Sequence, residues 1–345
     1  LAAINLWVDF IERLWNNKSM AFLGIETSCD ETGVAIVDED YNILSNIVSS
    51  QYEIHSEWGG IVPELAGRAH IERITPIFQS ALEKAKVSIS DIEAIGATQG
   101  PGLIGSLLVG LSFAKALSFS LSVPFFGIDH LEAHISVPLL TKERISFPAI
   151  GLVISGGHTE LFYIERWGVY QLIGRTLDDA VGEAFDKVAK LLGLGWPGGP
   201  AIDRVAKDGN REAIRFPVAR IKKSPFSFSY SGIKTAVFYY LKNKNRKSIP
   251  DIAASFQEAA ISSLVTTTFK AVLHKRAKSV IVGGGVSANT RFRERITEEG
   301  RKMGIQIFVP PKELCTDNGA IIAASLLFKV KEGLPPSPLN ISPFS

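Results

Sequence analysis

Cysteine is nearly missing from this chain: Cys29 and Cys315 are the two among 345 residues. Two cysteines build no disulfide framework and no cysteine-rich zinc motif, and they point to a reducing compartment. The expected location is the cytoplasm, ahead of the mitochondrion. No apolar run reads as long enough to span a bilayer, so no membrane partner is expected. Excess charge of one sign is missing too, since the formal net charge is +2, which singles out no partner. Two short signatures are absent, G-x-x-x-x-G-K-[ST] and H-E-x-x-H, and the glycine run "VGGGVSANTRFRE" lacks the G-x-G-x-x-G spacing. This removes the support for a P-loop, for a zinc protease and for a Rossmann site at that run.

What is present is a large apolar fraction, 46%, enough to bury a sizeable core divided between two lobes. The first nineteen residues, "LAAINLWVDFIERLWNNKS", read differently from the rest. Leu6, Trp7, Phe10, Ile11, Leu14 and Trp15 fall at helical spacing, as in an amphipathic helix. The segment has neither the acid-poor character of a transit peptide nor the basic start of a signal peptide. Met20 then opens a strand-like run, so residues 1–19 are expected to be a tag or a mis-extended start.

Apolar runs alternate with helical patterns along the rest, the mark of an α/β architecture. Strands are expected at "AFLGI", "GVAIVD", "ILSNIV", "IEAIGAT" and "PFFGID", then at "AIGLVIS", "ELFYIE", "SVIVGGG" and "IQIFVP". Helical periodicity fits 69–86, 103–121, 179–192, 251–274 and 290–303, with a last helix from about 316 to 330. The polar "LLTKERISFP" places a boundary near 145. The expected lobes are therefore 20–145 and 146–330, with a tail at 331–345.

The halves share a pattern. "FLGIETSCDETGVAIV" and "IGLVISGGHTELFYI" are each a strand, a tight turn of small polar residues, and a strand. Such turns leave backbone N–H groups for an anion. The later "VGGGVSANTRFRE" runs from a strand through glycines into a helix, an arrangement that favours phosphates. Two related lobes closing on a nucleotide is the picture these pieces support.

"GIDHLEAHIS" sets His130 and His134 at i and i+4, on one helical face, where both imidazoles can reach one ion. The order H-L-E-A-H puts Glu132 on another face, so the protease register fails. Spacing alone leaves a metal pair and a packed pair both open. A third ligand is needed, and Asp317 in "LCTDNGA" is the best candidate by sequence, its other reading being a helix cap. Between Asp203 and Lys247, twelve Lys/Arg stand against three Asp/Glu, with aromatics interleaved. That composition suits a nucleic-acid backbone and exposed bases, or simply a solvated face.

The pieces "GIETSCDET", "GGIVPELAGRAH", "GPGLIGSLLVG", "HLEAH", "SGGHTEL", "TLDDAVGEAFDKVAKLLGLGWPGGPAID", "FSFSYSGIKT", "GGVSANTRFRE" and "CTDNGA" run in order from Met20 to about Ala324. The series resembles the TsaD family, tRNA adenosine threonylcarbamoyltransferases. The resemblance implies an ASKHA fold (actin/Hsp70/sugar-kinase-like), with two related lobes and an interlobe nucleotide cleft. It implies transfer of threonylcarbamoyl from threonylcarbamoyl-AMP to the exocyclic amine of the adenosine 3′ of a tRNA anticodon, in tRNAs that read codons beginning with A, releasing AMP. By motif match it implies His130, His134 and Asp317 as ligands of iron or zinc. Asp30 and Glu31 would be the acidic residues needed for activity. The acyl-adenylate would lie among Val153, Ile154, Ser155, Gly156, Gly157, His158, Asp186, Gly199, Asp203 and Asn289.

Within that resemblance, Asp30 is a candidate proton acceptor from the adenine amine. Asp186 and Asp203 suit the donor's ribose or threonyl part, and Asn289 its adenine or sugar. Lys222, Lys223 and Lys234 become candidate tRNA contacts. Implied partners are a TsaB-type paralogue and a TsaE-type ATPase for a bacterial chain, or a second copy for a mitochondrial one. The chain departs from the family pattern at the alanine of "HLEAH", where glycine is more usual, and at Trp196, where tyrosine is common. A kinase or an ATP-binding scaffold on the same fold remains the alternative.

Overall fold

The computed structural model describes residues 20–345 apart from 220, 222, 244 and 245. The expectations for residues 1–19 and for Lys222 lie outside the described residues. The chain forms two compact units, one of residues up to Glu143 together with Asp317–Ser345, the other of Arg144–Thr316.

In the first unit, β1 (Ala21–Glu26), β2 (Glu31–Asp38), β3 (Ile43–Ser50), β4 (Ile92–Gly100) and β5 (Phe125–Asp129) form one sheet in the order β3-β2-β1-β4-β5. The β1–β2 and β2–β3 pairs are antiparallel, and β1, β4 and β5 run parallel. β1 is buried at every position, as a strand covered on both faces must be. The first helices are α1 (Tyr52–Ser56), α2 (Pro63–Ala85), α3 (Ile104–Leu121), α4 (His130–Ile135) and α5 (Val137–Leu140).

Two expectations need correction in this unit. By length and composition α3 is apolar enough to cross a membrane, contrary to the sequence reading. Here it buries Leu107, Leu111, Ala114 and Ser118 along one face, and it packs on α2 and β4. The last helix, expected in the second lobe, belongs to the first unit and lies on β1 and β2. The reason is a glycine floor. A Cβ on Gly24 would stand 2.3 Å from the Gly319 carbonyl oxygen, and one on Gly33 would stand 2.7 Å from the Gly319 nitrogen. Only bare backbone lets the helix end come so close.

The second unit builds β6 (Ala149–Ile154), β7 (Thr159–Arg166), β8 (Val169–Arg175), β9 (Ser279–Gly283) and β10 (Gln306–Phe308) into a sheet ordered β10-β9-β6-β7-β8. Here β6–β7 and β7–β8 are antiparallel, while β6, β9 and β10 run parallel. Numbered within each unit, both sheets read 3-2-1-4-5 with the same directions, so the repeat seen in two hairpins extends to whole sheets. Its helices are α6 (Val181–Leu191), α7 (Gly198–Val205), α8 (Ser231–Leu241), α9 (Ile249–Lys275) and α10 (Thr290–Met303). α9 packs on β6, and its Phe256 meets Phe185 of α6 edge to face in the core. The final helix, α11 (Gly319–Lys331), completes the first unit.

Candidate metal centre and glycine turns

The parallel strands of the first unit deliver three side chains to one spot. β1 ends on Glu26, β4 carries Thr98 near its end, and β5 runs directly into His130. Asp129 caps the short helix α4 by accepting from the N–H groups of Leu131 (2.9 Å) and Glu132 (3.0 Å). That cap starts the helical turn that brings His130 and His134 to one side. Both are buried, and their rings meet edge to face with centroids 4.7 Å apart.

Asp317 joins them from the start of α11. The cap of that helix is Asn318, whose side-chain oxygen accepts from Ala320 and Ile321 N–H. The capping role therefore falls to the neighbour, and Asp317 turns to the histidines. Its Oδ1 lies 3.0 Å from His134 Nε2 and 3.6 Å from His130 Nε2. One ligand atom from each of the three residues lies within 4.8 Å of the other two. Two imidazole nitrogens and one carboxylate, buried and convergent, are a donor set that fits iron or zinc.

The electrostatics of the cluster follow from crowding. Burial lowers the affinity of His130 for a proton, but the charges of Asp317 and Glu26 outweigh it and hold its pKa at about 9. Glu31 accepts a hydrogen bond from the Asp317 backbone, yet burial first, then Asp317, Asp30 and Glu26, push its carboxyl up to about 9. Asp30 is raised as well, by burial and then by Asp317. Asp30 and Glu31 thus share the neighbourhood of the three candidate ligands.

Sequence reasoning missed the residues that hold this neighbourhood in shape. Glu26 is fully buried and touches Ser28, Thr98 and His130. A carboxylate closing the otherwise apolar strand "AFLGIE" was the signal for it. His70, buried on α2, bridges both ends of the acidic turn, with Nε2 2.9 Å from the Cys29 carbonyl and Nδ1 2.8 Å from Thr32 Oγ1. It is the closing histidine of "GGIVPELAGRAH", and its i-to-turn partners lie 38 and 41 residues away, beyond the reach of local pattern.

In the second unit the corresponding turn, Ser155–His158, closes on itself. Ser155 N–H donates to the His158 carbonyl (2.8 Å), and His158 N–H to Ser155 Oγ (3.1 Å). Val153 and Ile154 are the buried end of β6, while Gly156 and Gly157 are exposed. Gly182, at the start of α6, lies against Ser155 and Gly156. Gly284 follows β9 at φ +89°, where a Cβ would stand 2.4 Å from the Ile154 carbonyl oxygen.

The remaining candidates fall into two groups. Asp186 accepts from Gly198 N–H at 2.6 Å and so holds the start of α7 beside Gly199. Asp203 accepts from Thr290 N–H (3.2 Å) and Oγ1 (2.9 Å). Asn289 spends both ends of its amide inside the protein: Oδ1 caps α10 at Phe292 N–H, and Nδ2 donates to Gln257 Oε1 at 2.8 Å. A cleft of about 230 Å³ opens here, lined by Asp203, Lys207, Gln257, Thr290 and Arg291 among others. Of the tRNA candidates, Lys223 is exposed, whereas Lys234 is tied to Asp179 at 2.8 Å.

Two sheets of one strand order and one set of directions define the ASKHA class of α/β proteins. The T. kodakarensis HypF structure has that fold, with a TM-score of 0.62 and 15% identity over 91% of this chain and 48% of its own, so this chain spans about half its length. Within the class the sequence is decisive. Residues 42–324 match the TsaD family, tRNA N6-adenosine threonylcarbamoyltransferase. The tRNA N6-adenosine threonylcarbamoyltransferase of Kosmotoga olearia is 51% identical over 91% of this chain and 95% of its own. That of Caldicellulosiruptor saccharolyticus is 48% identical over 91% and 94%. The chain belongs to the TsaD family.

Proposed function

We propose that this chain transfers threonylcarbamoyl from threonylcarbamoyl-AMP to the N6 amine of the adenosine 3′ of the anticodon. The observation that carries the reading is the convergence of His130 Nε2, His134 Nε2 and an Asp317 oxygen, in a chain of the TsaD family.

The donor is a mixed carbamoyl–phosphate anhydride, so its carbonyl is already activated and the protein's work is positioning and charge stabilisation. N6 attacks the carbamoyl carbon, the bond from that carbon to the phosphate oxygen breaks, and AMP leaves with the electron pair. The N6 proton passes to a carboxylate, for which Asp30 stands nearest the role. The adenine amine is a weak nucleophile because its lone pair is delocalised, and a proton acceptor at that moment lowers the barrier. His130, His134 and Asp317 would hold iron or zinc. When bound, that ion supplies Lewis-acid polarisation of the carbamoyl oxygen and a template for the threonyl part.

The glycines of the Ser155–His158 turn let backbone N–H groups approach the donor phosphate, and Asp186 and Asp203 shape the ends of α7 that border it. Lys223 contributes to gripping the tRNA backbone, with Lys222 beside it in sequence. Partners of the TsaB and TsaE type are the ones proposed, as for a bacterial member of the family. The exposed Ile71, Ile104 and Leu108 of α2 and α3 support a protein contact on the first unit. The cytoplasm is the proposed location.

The test is transfer of labelled threonylcarbamoyl from threonylcarbamoyl-AMP to unmodified tRNA, with and without partner proteins. Label that appears with wild type and disappears with His134→Ala supports the reading. No label under any partner combination, with folded and metal-loaded protein, sinks it, and phosphorylation of a small acceptor by ATP would establish the kinase instead.

A further inference from the structure

The first unit holds a buried carboxylate that the proposed reaction does not use. Glu26 is fully buried at the last position of β1. Its Oε1 accepts from Ser28 N–H at 2.5 Å. Its Oε2 accepts from Thr98 Oγ1 at 2.7 Å and faces His130 Nδ1 at 3.0 Å. Both oxygens are thus engaged, from three directions, by groups on neighbouring parts of the sheet.

A buried carboxylate costs several kcal/mol unless it is paired, so its retention at this point calls for a reason. The geometry points to one. Nδ1 of His130 faces the carboxylate, and Nε2 of the same ring faces Asp317. A ring whose Nδ1–H donates to a carboxylate is held with its Nε2 on the opposite side, where that nitrogen can serve as the metal ligand. His134 is built differently, since its buried Nδ1 has no hydrogen-bond partner among the described residues.

We infer that Glu26 is a positioning residue for the metal: through Oε2 it engages Nδ1 and fixes the plane of His130, so that Nε2 is the nitrogen turned toward Asp317 and the ion. Thr98 Oγ1 and Ser28 N–H hold the carboxylate itself. This inference rests on the metal reading of His130, His134 and Asp317, and makes Glu26 the reason that His130, rather than His134, is the pre-set ligand.

The experiment measures zinc affinity by chelator competition on the full chain, for wild type, Glu26→Gln, Thr98→Val and His134→Ala. Loss of a carboxylate partner behind a ligating histidine weakens metal binding roughly 10- to 100-fold. Glu26→Gln is expected in that range, Thr98→Val in the same direction but smaller, and His134→Ala beyond both. Glu26→Gln within twofold of wild type, while His134→Ala loses zinc, overturns the role of Glu26 and leaves the metal site standing. His134→Ala binding zinc as wild type does overturns both. Should Glu26→Gln fail to fold, zinc-loaded wild type labelled with ¹⁵N-histidine decides: a slowly exchanging proton on His130 Nδ1, shifted in Thr98→Val, supports the inference, and its absence refutes it.

Discussion

Replacing Gly24 by alanine tests how the third candidate ligand is placed. Its new Cβ would stand 2.3 Å from the Gly319 carbonyl oxygen and 2.4 Å from the Ala323 nitrogen. Ordinary carbon contacts begin near 3.5 Å, and both partners are backbone, so neither can rotate away. The start of α11 must lift by about an ångström, and Asp317, two residues before Gly319, must move with it. Overpacking of this kind costs roughly 1–3 kcal/mol, and backbone partners put Gly24→Ala at the upper end. For a unit of this size that is a fall in Tm of about 4–12 °C. Gly105→Ala is the matched control, because a Cβ there meets nothing within 4 Å. On the exposed side of α3 it is expected to stabilise by ~0.5–1 kcal/mol. Urea unfolding of both, with zinc affinity measured alongside, checks the reasoning. Gly24→Ala within about 0.5 kcal/mol of wild type, or destabilised with unchanged zinc affinity, refutes the claim that the glycine floor sets Asp317.

His70 supplies a pH prediction. Burial lowers its pKa, aided by Arg73 and His55 and opposed by the Cys29 carbonyl and Glu26. Its folded value lies below its unfolded one, so the unfolded chain takes the proton first. The stability associated with neutral His70 is present above about pH 6.5 and is lost as pH falls below it. His70→Asn is therefore expected to flatten the drop in urea midpoint between pH 7.5 and 5.5, and an equally steep drop counts against the argument. For tRNA, Lys223→Ala is expected to reduce the slope of log affinity against log salt by about one. Lys234→Ala, through the lost pair with Asp179, is expected to lower stability, and a filter-binding salt series combined with melting curves separates the two.

Much of this was legible because the elements are long and strongly patterned. All nine expected strands exist, and α10 begins and ends where its periodicity does. β8 was missed because Val169–Arg175 is half exposed, with Gln171, Leu172 and Arg175 facing solvent, so its apolar residues show no regular alternation. α7 was missed because "GGPAIDRV" opens on residues that read as a turn, and its start depends on Asp186, twelve residues back. The histidine pair was readable from spacing, but its meaning was not. Asp317 looked equally like a cap, and only the placement of Asn318 in that role releases it. Glu26 and His70 act across the sheet and between helix and turn, where one sequence offers no periodicity to follow.

The repeated turn shows how one backbone plan serves two chemistries. β1 and β6 each have six residues, the turns Thr27–Asp30 and Ser155–His158 each have four, and Glu31 and Thr159 each open the next strand. Glu26 therefore matches Ile154, and Asp30 matches His158. The first turn is acidic and packed behind a histidine, which suits a cation. In the second, Gly156 and Gly157 carry no neighbours within 4 Å of a would-be Cβ, which leaves bare backbone open to an anion. Neither glycine is among those with positive φ, so Gly157→Ala brings no clash and no backbone strain. Its stability should stay within about 0.5 kcal/mol of wild type. A ligand phosphate seated on that backbone would meet the new methyl, so binding of an acyl-adenylate analogue should weaken while melting does not change. Unchanged binding with unchanged melting would mean that the phosphate does not sit on this turn, and that the glycines serve only to close the hairpin.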